Sequence, residues 1–83
     1  MPDFELYKDV ILTADLPGEG LRAGDIGTVV ERHEVGGVDT VGYSVEFFDM
    51  TGHTVAVATV PANQLRLPTS ADRPSVRAMS NTE

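Results

Sequence analysis

Leu21-Arg22-Ala23-Gly24-Asp25-Ile26-Gly27-Thr28-Val29-Val30-Glu31 is the stretch whose reading decides the fold. Gly24 and Asp25 make a tight turn, because glycine reaches positive φ at no steric cost and a short carboxylate accepts nearby backbone N–H groups. Ile26 to Glu31 then alternates with β-branched residues, which predicts a strand. Gly27 inside that strand marks a close backbone approach or a bend. With no helix after these glycines and no lysine among them, a phosphate-cradling loop is excluded.

Working outward, residues 6–14 read as a first strand, with Val10, Leu12 and Ala14 as its inward set at period two. A helix is the rival reading, but Val10, Ile11 and Thr13 are β-branched and Pro17-Gly18 ends the run too soon. Residues 15–25 form a long loop, with Leu16 and Leu21 tucked against the body. Residues 26–33 are the second strand, apolar on both parities and so expected to be covered on both sides. Residues 34–40, with glycines at 36 and 37, read as a flexible connection.

The clearest strand is 41–48, where Val41, Tyr43, Val45 and Phe47 face one way. Residues 49–53, Asp-Met-Thr-Gly-His, read as a hairpin turn with glycine in the left-handed region. Residues 54–60 follow as the fourth strand, with Val55 and Val57 as the expected core face. Residues 61–64 are too short for an α-helix and predict a 3-10 turn. Residues 65–67 are a short closing strand. From Pro68 onward there is no apolar period, and the tail 68–83 is expected to be disordered.

These elements predict an all-β domain over residues 1–67: a small SH3-like five-stranded barrel with a 3-10 turn before the last strand. Closure would shield strand edges and enclose about a dozen core side chains, each worth roughly 1.5–3 kcal/mol on burial. An OB-fold wants a helix between its third and fourth strands, and residues 49–53 leave no room for one.

The blocks Gly24-Asp25-Ile26-Gly27-Thr28-Val29-Val30-Glu31, Gly42-Tyr43-Ser44-Val45-Glu46-Phe47-Phe48-Asp49, Gly52-His53-Thr54-Val55-Ala56-Val57 and Gln64-Leu65-Arg66 occur in order. Together they resemble small bacterial proteins of domain-of-unknown-function family 4926, over roughly residues 7–67. The resemblance implies an SH3-like fold and carries no catalytic or binding residues. It also implies a gene neighbourhood suggestive of a toxin paired with its antitoxin. The Gly-Asp-x-Gly-x-Val core further looks like KOW segments of ribosomal and transcription proteins, and like the barrel of nitrile hydratase β subunits. These are likenesses of fold and transfer no function.

Composition narrows the function. Eighty-three residues make one small domain. There is no cysteine, which removes disulfides, thiolate chemistry and zinc ribbons. The net charge is -7, and residues 1–67 hold eleven acidic against four basic side chains. Such a body repels phosphate backbones and attracts basic proteins. No run approaches the roughly 18 apolar residues of a membrane span. The start, Met1-Pro2-Asp3-Phe4-Glu5, lacks a basic region followed by an apolar one, so a secretion signal is not expected and the expected location is cytoplasmic.

Few residues offer chemistry. Asp25 and Asp49 sit at turns, where a carboxylate accepting backbone N–H bonds is the simplest role. Glu31, Glu46 and Asp49 form a carboxylate set on neighbouring strands, but no loop has the dense oxygen spacing of a calcium site. His33 and His53 flank turns, with no Ser–His–Asp order in the chain. Neither a metal nor a cofactor is expected, and no enzyme.

Phe48 has the opposite parity to Phe47. It either sits outside beside Glu46 or joins a minor core under the long loop or the N-terminal lead-in. An aromatic flanked by carboxylates suits a basic protein partner. The candidate partner-binding residues are therefore Glu31, Glu34, Asp39, Glu46, Phe48 and Asp49, with Gly24, Asp25 and Gly27 as structural turn residues. The expected function is a non-catalytic acidic interaction module, antitoxin-like or an accessory subunit. A KOW-like nucleic-acid module and a metallochaperone or enzyme activator are the alternatives.

Overall fold

Five antiparallel strands pair in the order β4-β3-β2-β1-β5. They are β1 (Asp9–Leu12), β2 (Ile26–Glu34), β3 (Val41–Phe48), β4 (Thr54–Pro61) and β5 (Leu65–Arg66), with 3-10 turns at Pro17–Glu19 and Ala62–Gln64. The computed structural model describes residues 3–34 and 41–78; of the connection expected to be flexible, 34–40, Glu34 ends β2 and 35–40 lie outside the described residues.

The sheet is not a closed barrel, which corrects the SH3-like barrel expected from the sequence. Its two edges are β4 and β5, and no ladder joins them among the described residues. The reason is length. β5 has only two residues, and both pair with β1. The Ala62–Gln64 turn carries the chain from β4 to β5 over the core, burying Ala62, instead of a strand closing the gap. The all-β class, the five strands and the turn before the last strand stand.

One face of the sheet carries the core. Val10, Leu12, Val29, Tyr43, Val45, Phe47, Ala58 and Val60 are buried there, joined by Leu21, Ala62 and Leu65. The register explains the sizes. Ala56 lies opposite Phe47, Ala58 opposite Val45 and Val60 opposite Tyr43. Small side chains on β4 thus face large ones on β3, filling the layer without strain. Here the sequence expectation fails: Val55 and Val57 are exposed, not core. The register shifts between Phe47 and Phe48, so Val55 is the extra residue of a bulge, and beyond it Ala56, Ala58 and Val60 turn inward.

β1 is shorter than expected, because the chain at Leu6 and Tyr7 makes a turn. Val10 and Leu12 are buried as expected, while Ala14 is half-buried. The lead-in contributes Phe4 to the core, which the sequence did not suggest. Its ring meets Tyr43 edge-on at 5.3 Å and 79°, and its N–H donates to the Tyr43 hydroxyl at 3.1 Å. The only polar atom of this fully buried side chain is thereby satisfied.

The Leu21–Glu31 region behaves as its residues dictate. Gly24 has φ 97°; its N–H donates to the Leu12 carbonyl at 2.8 Å and the Leu12 N–H donates to Asp25 at 2.9 Å, locking the turn to β1. Leu16 and Leu21 bridge each other across the long loop, with Leu21 buried. After Arg66, residues 68–78 form no helix or strand. The Arg66 guanidinium holds Asp72 with two bonds at 2.9 and 2.7 Å. The rest of the tail expected to be disordered, 79–83, lies outside the described residues.

Gly27 sits opposite Val10 on β1. A Cβ there would stand 2.5 Å from Val45 Cγ1 and 2.9 Å from a Phe47 ring carbon. Gly27→Ala should therefore cost about 1–3 kcal/mol through overpacking. A lowered urea midpoint at unchanged m-value would show it; an unchanged midpoint would mean that the strands move apart freely.

Candidate protein-interaction face

Opposite the core, the same register builds an outer face. Asp9, Thr28, Glu46 and Val57 are consecutive partners across β1, β2, β3 and β4, so their side chains form one row. Ile26 and Phe48 lie two residues along from Thr28 and Glu46, hence on the same face. Ile26 is 50% exposed, Phe48 45% and Val57 56%. The outer side of β2 is thus uncovered at Ile26, where cover on both sides was expected. The neighbouring row is polar: Glu31 and Ser44 are partners, as are His33 and Gly42.

Hydrogen bonds order the polar groups among these apolar ones. Thr28 Oγ1 donates to Asp9 Oδ1 at 3.2 Å, and the Thr54 hydroxyl donates to Glu46 Oε2. His33 Nε2 lies 2.8 Å from Ser44 Oγ and 3.8 Å from Glu31 Oε1. The result is an apolar strip of Ile26, Phe48 and Val57 flanked by the carboxylates of Asp9, Glu46 and Glu31.

The six residues singled out from the sequence separate here. Glu31, Glu46 and Phe48 share the outer face. Glu34 does not: it partners Val41 on the core side, and Arg32 Nη1 donates to its Oε2 at 2.8 Å. Glu34, first, and then Tyr43 hold the Arg32 guanidinium even more firmly protonated than usual. Asp39 lies outside the described residues. Asp49 is engaged in its own turn. Its Oδ1 accepts from Thr51 N at 2.9 Å, Thr51 Oγ1 at 2.7 Å and His53 N at 3.0 Å. Gly52 completes that turn at φ 91°. Asp25 plays the matching part in the other turn, where its Oδ2 accepts from Arg22 N at 2.9 Å.

Ile26, Val57 and Asp9 belong to the face but were not foreseen. Their signal was present: each has the parity opposite to the core residues of its strand. It becomes readable only once the β4 bulge is known. Among the described residues, no three histidine or carboxylate side chains gather closely enough to hold a metal ion. No described helix is long and apolar enough to cross a membrane.

Residues 6–67 match the model of a family described as a domain of unknown function, DUF4926. No curated protein and no solved structure matches the chain.

The Asp49 turn has a pH signature. Its carboxyl lies below the ordinary value of 3.8, chiefly because the Thr51 hydroxyl, then the His53 N–H, donate to the charged form. A folded pKa below the unfolded one stabilises the turn above the unfolded value, and the gain is lost as pH falls through the folded value. Amide exchange protection at His53 should therefore hold at neutral pH and decline below about pH 4. Asp49→Asn should remove that acid-dependent step; a step of the same size in the variant would exclude Asp49 as its source.

Proposed function

The chain belongs to the DUF4926 family, and from that footing we propose that it is a non-catalytic protein-interaction module whose outer sheet face engages a basic protein partner. The observation that carries this reading is the strip of Ile26, Phe48 and Val57, left exposed on a protein of charge -7 and bordered by Asp9, Glu46 and Glu31. Apolar side chains that converge on one face of a sheet stay wet only at a cost, and covering them is favourable at roughly 25 cal/mol per Å² of apolar surface.

Phe48 is the anchor: a rigid aromatic of large area at the strip's centre. The carboxylates guide the approach and set the partner's sign. Long-range attraction accelerates encounter with a basic surface, and each carboxylate on the rim suppresses acidic competitors. The same charges repel a phosphate backbone, so a protein is favoured over nucleic acid. Glu34 and Asp49 drop out of the recognition set, because their oxygens are committed within the chain. An accessory or antitoxin-like subunit is the role such a face suits.

The test begins with the complex captured from the native host, identified by mass spectrometry and rebuilt from purified components. Phe48→Ala should weaken it by about 2 kcal/mol, roughly 30-fold in Kd. Glu46→Lys should slow association and flatten its salt dependence. If both variants bind like the wild type, the outer face is not the recognition surface. Affinity for RNA that falls with salt would instead revive the nucleic-acid alternative.

A further inference from the structure

A second feature lies away from the apolar strip. Residues 15–25 form a loop that is held in shape by its own bonds. Asp15 Oδ1 accepts from Ala23 N at 2.9 Å, Asp25 Oδ2 accepts from Arg22 N at 2.9 Å, and the Leu16 N–H donates to the Leu21 carbonyl at 2.9 Å. The loop frames a depression of about 230 Å³ lined by Asp15, Pro17, Gly20, Leu21, Arg22 and Arg77.

Arg77 comes from the far end of the chain, 52 residues after Asp25. Its Nε donates to Asp25 Oδ1 at 3.2 Å and its Nη2 to Asp25 Oδ2. Nη2 also approaches the Gly20 carbonyl at 3.3 Å. This is a planar fork on a carboxylate with a backbone carbonyl beside it, an arrangement that reads the shape of a guanidinium and not merely its charge. Both partners are sheltered, with side-chain exposures of 28% for Arg77 and 19% for Asp25. Asp15 strengthens the field, while Arg22 on the rim opposes a second cation.

We propose that the 15–25 loop is a binding site for the guanidinium of an arginine in an extended segment, and that Arg77 fills it in cis. The C-terminal segment is then an intramolecular ligand, and an arginine-bearing segment of a protein partner binds by displacing it. The pre-shaped loop keeps the ordering cost of the exchange low. Residues 68–83 hold two acidic and two basic side chains and are neutral. Bulk attraction to the acidic body therefore does not account for their docking, whereas two specific forks do, Arg66 on Asp72 and Arg77 on Asp25.

The experiment uses the full chain and a synthetic peptide of residues 68–83, observed through backbone amide resonances. Arg77→Ala vacates the site and lies beyond the last strand, so the sheet is left intact. Peptide added to this variant should shift the amides of Gly20, Leu21, Arg22 and Asp25 saturably. The wild-type chain should need about tenfold more peptide, because its own Arg77 competes at millimolar effective concentration. A peptide with lysine in place of Arg77 should also bind about tenfold more weakly, since an ammonium cannot fork. The proposal is overturned if wild-type and variant chains respond alike, if the lysine peptide equals the arginine one, or if no shift appears up to about 10 mM. Phe48 and Glu46 take no part, so failure here leaves the outer-face reading standing, and the reverse.

Discussion

The close passage of β2 against β3 at Gly27 is the constraint on which the rest of the sheet depends. β2 is the central strand and the only one paired with both β1 and β3. Where Gly27 lacks a side chain, Val45 and Phe47 fill the space a Cβ would need. That lets two β3 side chains lean across the middle of the sheet instead of standing above a neighbour. Val10 on β1 stands opposite Gly27, and on β4 the small Ala56 and Ala58 stand opposite Phe47 and Val45. A small domain without disulfides gains its cohesion from such interdigitation.

Much of this was legible in the chain because the determinants are local. The turn at Gly24 and Asp25, the hairpin from Asp49 to His53, the alternation of Tyr43, Val45 and Phe47, and the 3-10 turn after β4 each depend on neighbours in sequence. What could not be read is set by register and by long-range closure. A bulge at Val55 exchanges the two faces of β4, and nothing in Thr-Val-Ala-Val-Ala announces it, since both parities are apolar. Closure of the barrel depends on whether β5 meets β4, and β5, at two residues, is too short to declare a partner. Phe4 was missed for a similar reason: an isolated aromatic ahead of a strand has no period to place it.

The carboxylates divide in a way composition cannot reveal. Asp49 has its Oδ1 turned to the backbone of a tight turn, Glu34 is tied to Arg32, and Asp72 to Arg66. Those groups build the molecule. Among the described residues, Glu46 accepts from the Thr54 hydroxyl and Glu31 lies near the His33 imidazole, both on the outer face. The sequence marked acidic positions by type, whereas a recognition role depends on which of them retain unspent acceptor capacity.

The two borders of the sheet are unequal, and this bears on how far strand pairing between copies can extend. β4 offers eight residues with no charged side chain among them, while β5 offers two. A strand laid against β4 finds a long ladder; one laid against β5 finds almost none. End-to-end growth requires both borders to accept a strand in turn. Here the chain can be lengthened on one side only, so any edge-to-edge pairing of identical copies terminates at two and cannot propagate into a fibre.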